Sequence, residues 1–163
     1  MIKLRKIEPT DIPYLYQWEN DATSWASSGV HNPLSQKDLR DYVDASTGDV
    51  FRDGQLRLVI EENGQSLGCI DLFDLDPVNR RAAIGIYVSP MSRGRGVGEQ
   101  AVRLLEELAF EHLNLRLLYC VIATNNEPSL QIFRSLKYDF SSVLKGWTLQ
   151  SDAVICQKMR VKE

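Results

Sequence analysis

The stretch from Leu56 to Val88 constrains the fold more than any other part of the chain. It holds three strand-like segments, Leu56 to Glu61, Leu67 to Phe73 and Arg81 to Val88. Asn63-Gly64 joins the first two, and that dipeptide accepts the positive φ values of a tight hairpin turn. Asp76-Pro77-Val78-Asn79 turns the chain into the third. Connections this short suit antiparallel neighbours, because a parallel crossover needs a dozen or more residues. An antiparallel meander therefore sits in the middle of the chain, where a sheet of repeated β-α-β units has no place for it.

The flanking segments complete the order. Ile2 to Ile7 alternates as a strand. Thr10 or Asp11 caps a helix that tolerates Pro13 in its first turn and carries Tyr14, Leu15 and Trp18 on one face. His31 reads as a surface-loop residue before the Asn32-Pro33 break, and Ser35 caps a second helix through about Ala45. Val97 to Leu113 has helical spacing, with Ala101, Leu104, Leu105, Leu108 and His112 on its apolar stripe. Leu117 to Ala123 is a strand, Glu127 to Leu136 a helix, and Tyr138 to Leu144 and Asp152 to Met159 two closing strands. The order β-α-α-β-β-β-α-β-α-β-β describes one mixed α/β domain over residues 1–163, antiparallel in its first half and β-α-β in its centre.

Composition excludes several classes. A hydrophobic content of 44% and a charged content of 25% are those of a soluble globular protein. No apolar run reaches the ~20 residues of a membrane span, and the first residues lack the apolar core of a signal peptide, so a cytoplasmic location is expected. Cys69, Cys120 and Cys156 lie in apolar strand-like segments without metal-ligand spacing, and read as reduced core thiols; no metal is expected. A net charge of -3 argues against nucleic acid as a partner. From Pro9 to Glu62 ten acids face four bases, whereas Arg93 to Glu163 holds ten bases and eight acids. Such a division suits a cationic substrate on one side and an anionic cofactor on the other.

The run Arg93-Gly94-Arg95-Gly96-Val97-Gly98 lies between the third meander strand and a helix. Glycines let the backbone approach a ligand, and the helix start supplies unpartnered amides and partial positive charge. This is a phosphate cradle. A P-loop is excluded because Glu99 follows Gly98 where Lys and Ser/Thr are required. Gly96-Val97-Gly98-Glu99-Gln100-Ala101 matches the dinucleotide pattern, but that fingerprint opens a repeated βαβ sheet, and here a meander precedes it.

Arg93-x-x-Gly96-x-Gly98 after the Ile84–Val88 strand resembles the Q/R-x-x-G-x-G/A signature of the GCN5-related N-acetyltransferases. Asn126-Glu127-Pro128-Ser129-Leu130-Gln131-Ile132-Phe133 resembles that family's N-x-x-S/A-x-x-L-Y/F motif, and the likeness covers nearly the whole chain. It is greatest to the branch of spermidine/diamine and ribosomal-protein N-terminal acetyltransferases. The resemblance implies a mostly antiparallel sheet of about seven strands, splayed at its central strands, with about four flanking helices. It implies acetyl-CoA as co-substrate, with Ile86, Tyr87 and Val88, the run Arg93, Gly94, Arg95, Gly96, Val97 and Gly98, and Asn126 and Phe133 around it. Asn126 reads equally as a ligand contact and as a helix cap, and Phe133 as a wall for the pantetheine arm or as core.

Two departures bear on mechanism. Phe133 stands where the family often has a tyrosine that protonates the departing thiolate, and Ala83 where it often has a glutamate. Lys137 replaces a usual glycine. Asp71 is the first candidate base, ahead of Asp74, and Tyr87 and Tyr119 are candidate donors to sulfur. Trp18 and Trp25 are candidate walls of an acceptor pocket. The acidic front half leans toward a polyamine acceptor attacking directly in a ternary complex. A protein N-terminus, an amino sugar, or a degenerate domain that only binds acyl-CoA are the alternatives, and a homo-oligomer is compatible with the chain.

Overall fold

The computed structural model describes residues 1–28 and 32–162 of the 163-residue chain, so the expectation for His31 lies outside the described residues. Seven strands form one sheet: β1 (Ile2–Lys6), β2 (Leu56–Glu62), β3 (Gln65–Asp76), β4 (Arg81–Val88), β5 (Leu117–Ala123), β6 (Asp139–Leu144) and β7 (Ala153–Met159). Their spatial order is β1-β2-β3-β4-β5-β7-β6, and only β4 and β5 run parallel. The meander is where the turn chemistry puts it. Asn63 and Gly64 take φ of 50° and 78°, the conformation that makes the two-residue loop follow the twist of β2 and β3.

The helices among the described residues number six rather than about four. α1 (Ile12–Glu19), α3 (Gln36–Ala45), α5 (Val97–Glu107) and α6 (Glu127–Ser135) are the expected ones. α2 (Ala22–Ser28) and α4 (Val50–Asp53) are too short to display an amphipathic period. Ser35 caps α3 as read: its Oγ accepts from the Asp38 amide at 3.0 Å, and Asp38 returns the bond to the Ser35 amide at 2.8 Å. Asp11 stands at the cap position of α1 but turns its carboxylate elsewhere. It accepts two bonds from Arg5, at 2.7 and 2.8 Å, and one from the Glu8 amide at 2.8 Å.

The helix that starts at Val97 does not end as its periodicity suggests. Its last turn, Leu108–His112, widens into a π-type turn in which the Leu113 amide bonds the Leu108 carbonyl, five residues back. The extra residue rotates His112 off the apolar stripe, and it ends exposed rather than buried.

Each face of the sheet has its own core. Alternate residues of the strands pack with Val97, Ala101, Val102 and Leu105 of α5 and Leu130 and Phe133 of α6. On the opposite face, Cys69 and Tyr87 pack with Ile12, Leu15 and Trp18 of α1 and Leu39 of α3. The three cysteines are free and buried. No helix among the described residues is long and apolar enough to cross a membrane.

Candidate active site

The site begins where the sheet opens. β4 and β5 pair only from Arg81–Ala83 to Leu117–Tyr119, and past that point the two parallel strands have no register partners across the gap. The direction of the exposed amides follows from the ladder on the other side of β4. The Ser89 amide bonds the Leu67 carbonyl at 2.8 Å, so odd-numbered residues of β4 exchange bonds with β3. The amides of Ile86 and Val88 therefore face the gap, and the backbone of Tyr87 faces β3.

At the open end of the gap lies the glycine run. Gly94 and Gly96 take φ of 74° and 75°, and Gly96 is the N-cap of α5 without any side-chain cap. A Cβ on Gly94 would meet nothing within 4 Å, and one on Gly96 only the side-chain Nε2 of Gln100 at 3.7 Å. The loop thus leaves open space beside the first amides of α5, which fits a pyrophosphate. Gly98 serves packing instead: a Cβ there would lie 2.7 Å from Cδ1 of Ile132, so α5 and α6 approach closely because it has none. Val97 is buried in the core beside it. Arg93 donates from Nε to the Val88 carbonyl at 2.9 Å and lies 5.7 Å over the Tyr87 ring, while Arg95 pairs with Glu62 at 2.7 Å.

The face of the gap nearer α1 carries the ionisable groups. Tyr87 donates its hydroxyl to Asp21 at 2.8 Å, and burial together with that bond pushes its pKa up to about 12. The Thr23 hydroxyl, with the Tyr87 hydroxyl and the charge of Arg93, holds Asp21 below the usual carboxylate range against the opposing effect of burial. Tyr14, Trp18 and Tyr87 stack at ring spacings of 5.8 and 6.0 Å. With Gln17, Asp21 and Met91 they line a cleft of about 530 Å³. Trp25 donates from its indole to the Glu19 carbonyl at 2.9 Å.

Farther along β4, Asp71 stands opposite Gly85. Both of its oxygens accept from Arg57 at 2.8 Å, and Arg57 also pairs with Glu19 and lies 5.9 Å over the Tyr42 ring. Both oxygens of the Asp71 carboxylate are thus engaged by one guanidinium in a bidentate pair. At the closed end, Tyr119 stands opposite Ala83, the last paired position, and donates to Asp74 at 2.5 Å. Burial and this bond push the Tyr119 hydroxyl up to about 12.

The two residues of the asparagine motif take their structural roles. Asn126 accepts from the Ser129 amide at 3.4 Å as the cap of α6. Phe133 is 0% exposed, edge-on to Tyr138 at 4.9 Å, so the core claims it and it offers no surface to a pantetheine arm. Four participants escaped the sequence reading as partners: Asp21, Glu19, Arg57 and Gly68. A Cβ on Gly68 would lie 2.0 Å from the Tyr87 carbonyl oxygen, so the seam beneath Tyr87 closes only on glycine. A lone Gly in an otherwise regular strand was the one available signal.

A family model described as an acetyltransferase (GNAT) domain matches residues 2–139. Spermidine N(1)-acetyltransferase of Escherichia coli (strain K12) is 29% identical over 146 residues, covering 88% of this chain and 75% of that protein. A putative ribosomal N-acetyltransferase of Bacillus subtilis (strain 168) is 39% identical over 67 residues, 41% of this chain and 37% of that one. Among solved structures, spermidine N-acetyltransferase from Vibrio cholerae in complex with CoA and spermine superposes with a TM-score of 0.88 at 17% identity, covering 97% of this chain and 95% of that one.

Proposed function

Because the chain belongs to the GCN5-related N-acetyltransferase family, we propose that it moves acetyl from acetyl-CoA to a primary amine of a polycation such as spermidine, by direct attack in a ternary complex. The observation that carries this reading is the cleft lined by Tyr14, Trp18, Tyr87 and Asp21. Ring faces and a fixed carboxylate attract an ammonium group and offer little to a neutral or anionic acceptor. The similarity to a spermidine N(1)-acetyltransferase supports the same class. A further carboxylate stands at Asp74, level with Ala83. From Ala83 to Tyr87 along β4 is about 13 Å, so an extended polyamine meets negative charge at both ends of the face.

The donor supplies acetyl activated as a thioester. The residues present fit it: the amides of Val97 and Gly98 at the start of α5, with the open Gly94–Gly96 loop, would hold its pyrophosphate. The Ile86 and Val88 amides, turned into the gap, would polarise the acetyl carbonyl, where negative charge develops during attack. An alkyl ammonium has a pKa near ~10, so the protein has to remove a proton before nitrogen attacks. A tyrosine hydroxyl, Tyr119 or Tyr87, supplies the proton that sulfur takes on departure.

An acetylation panel of polyamines, peptides with free N-termini, amino sugars and aminoglycosides tests the reading by thiol release. Polyamines should exceed monoamines in kcat/KM by at least about tenfold, a difference of about 1.4 kcal/mol. Preference for peptides or sugars would overturn the polyamine assignment, and no turnover of any amine would overturn the transferase mechanism.

A further inference from the structure

Asp74 is placed by an irregularity of the sheet. The register of β3 against β4 slips between Phe73 and Asp76, and Asp74 sits in the slip with φ of 50°. In a regular strand an even-numbered residue of β3 would face the α5 side, with Leu72 and Ile70. The slip and the left-handed backbone turn Asp74 to the other face, and bulges re-aim side chains in this way. Its carboxylate then reaches across β4 to the hydroxyl of Tyr119 on β5. The strand crossed carries Ala83 at that level, so its own side chain there is only a methyl group.

We propose that Asp74 is the general base of the acetyl transfer and that the Tyr119 hydroxyl, which it holds, is the donor to sulfur; this rests on the function proposed above. Two observations distinguish Asp74 from Asp71. It is exposed at the closed end of the gap, on the face where an amine arrives. Among the described residues the Tyr119 hydroxyl is its one hydrogen-bond partner, on Oδ2, whereas Arg57 occupies both oxygens of Asp71. The charged groups near the pair are Arg81 of β4, which engages Asp76 at 3.1 Å, and Asp76 itself.

The proton traffic balances. Ile86 lies three residues, about 10 Å, along β4 from the level of Asp74, so Asp74 takes one proton from the acceptor ammonium through intervening water. The freed lone pair on nitrogen forms the N–C bond to the acetyl carbon. The C–S bond breaks with its electron pair on sulfur. A protonated Asp74 is a weak acceptor, so it releases the Tyr119 hydroxyl to turn toward the gap. Tyr119 then gives its proton to sulfur and recovers one from the nitrogen, which must lose its second proton to become an amide. Asp74 returns its own proton to water. The net products are the acetylated amine, free thiol and one proton.

Asp74→Asn is the decisive variant, because asparagine tolerates the left-handed backbone and keeps the side-chain shape. It should lower kcat/KM for the preferred amine by about 100-fold or more, the usual contribution of a general base, with acetyl-CoA affinity within about twofold of the parent. A second readout uses the free protein. Tyrosinate absorbance, taken as the difference from Tyr119→Phe, should show Tyr119 ionising at lower pH in Asp74→Asn, since the carboxylate that opposes its ionisation is gone. Activity within about threefold of the parent, or an unmoved Tyr119 titration, would overturn the proposal. A parent protein that binds acetyl-CoA and acetylates no amine would sink the underlying function and the base role with it, while a moved titration would still report the contact.

Discussion

Asp11 shows how far a single residue can depart from its sequence signal. It sits before a helix, where a carboxylate ordinarily caps, yet it is 2% exposed and bound to Arg5, which also pairs with Glu61. Burial works to raise its pKa, but the Arg5 guanidinium and the Glu8 amide hold it below the usual range. Asp11→Asn should cost about 2 kcal/mol at pH 7, less than a fully buried pair because Arg5 keeps some exposure and Glu61. A depressed carboxylate stabilises the fold above its unfolded pKa and loses that contribution as pH falls through the folded one. The gap between parent and variant in urea melts should therefore hold from pH 7 to about 4 and close below it. Gly68 is the second case. Gly68→Ala forces a Cβ onto the Tyr87 carbonyl and should cost about 3 kcal/mol, whereas Gly98→Ala meets only the flexible end of Ile132 and should cost about 1. Chemical denaturation of the two variants side by side measures the difference.

At the scale of elements, the end of α6 explains both departures from the family pattern in its last turn. The Tyr138 amide bonds the Phe133 carbonyl at 3.0 Å, and the Lys137 amide bonds the Arg134 carbonyl at 3.1 Å. This is a Schellman motif, and the contact of Phe133 with Tyr138 is its apolar clasp. Phe133 is therefore spoken for by helix termination. Lys137 sits at φ of 63°, the left-handed region that glycine fills without cost, so the backbone expected of the glycine is retained although the glycine is lost. Lys137→Gly should raise stability by about 1 kcal/mol, visible as a higher denaturation midpoint with unchanged slope. Elements with long periods or strong turn chemistry were legible in the sequence: β4 and β5 span the predicted residues, and α3 starts at its Ser35 cap. The π-type turn at Leu108–His112 was not, because nothing local distinguishes an i→i+5 bond from the last turn of an ordinary helix. Its cost was the placement of His112.

For the molecule as a whole, the gap between β4 and β5 is the feature on which function depends. It has a measurable signature. The amides of Ile86 and Val88 face the gap and should exchange hydrogen faster than those of Gly85 and Tyr87, which bond β3. Added acetyl-CoA should slow the first pair and leave the second nearly unchanged. Equal protection of all four in the free protein would mean that the gap is closed in solution. The same opening separates the two chemistries of the molecule. The glycine loop and α5 lie at one end, and the carboxylates and tyrosines line the face nearer α1.

Local chemistry alone determined the meander, the order of the strands and of the four longer helices, and the place of the glycine loop before α5, because turns, caps and amphipathic faces depend on residues within a few positions of one another. The family likeness extended this to the donor. What tertiary structure decided were encounters between distant residues: Arg57 closing on Asp71, Tyr87 on Asp21, and Asp74 reaching Tyr119 over Ala83. Those partners lie 14, 66 and 45 residues apart in the chain. Their meeting depends on sheet register and on one slipped position in β3, neither of which any single segment encodes. For that reason the sequence pointed to Asp71 as the base, and only the folded arrangement, with Asp71 clamped and Asp74 exposed, moved the assignment three residues along the same strand.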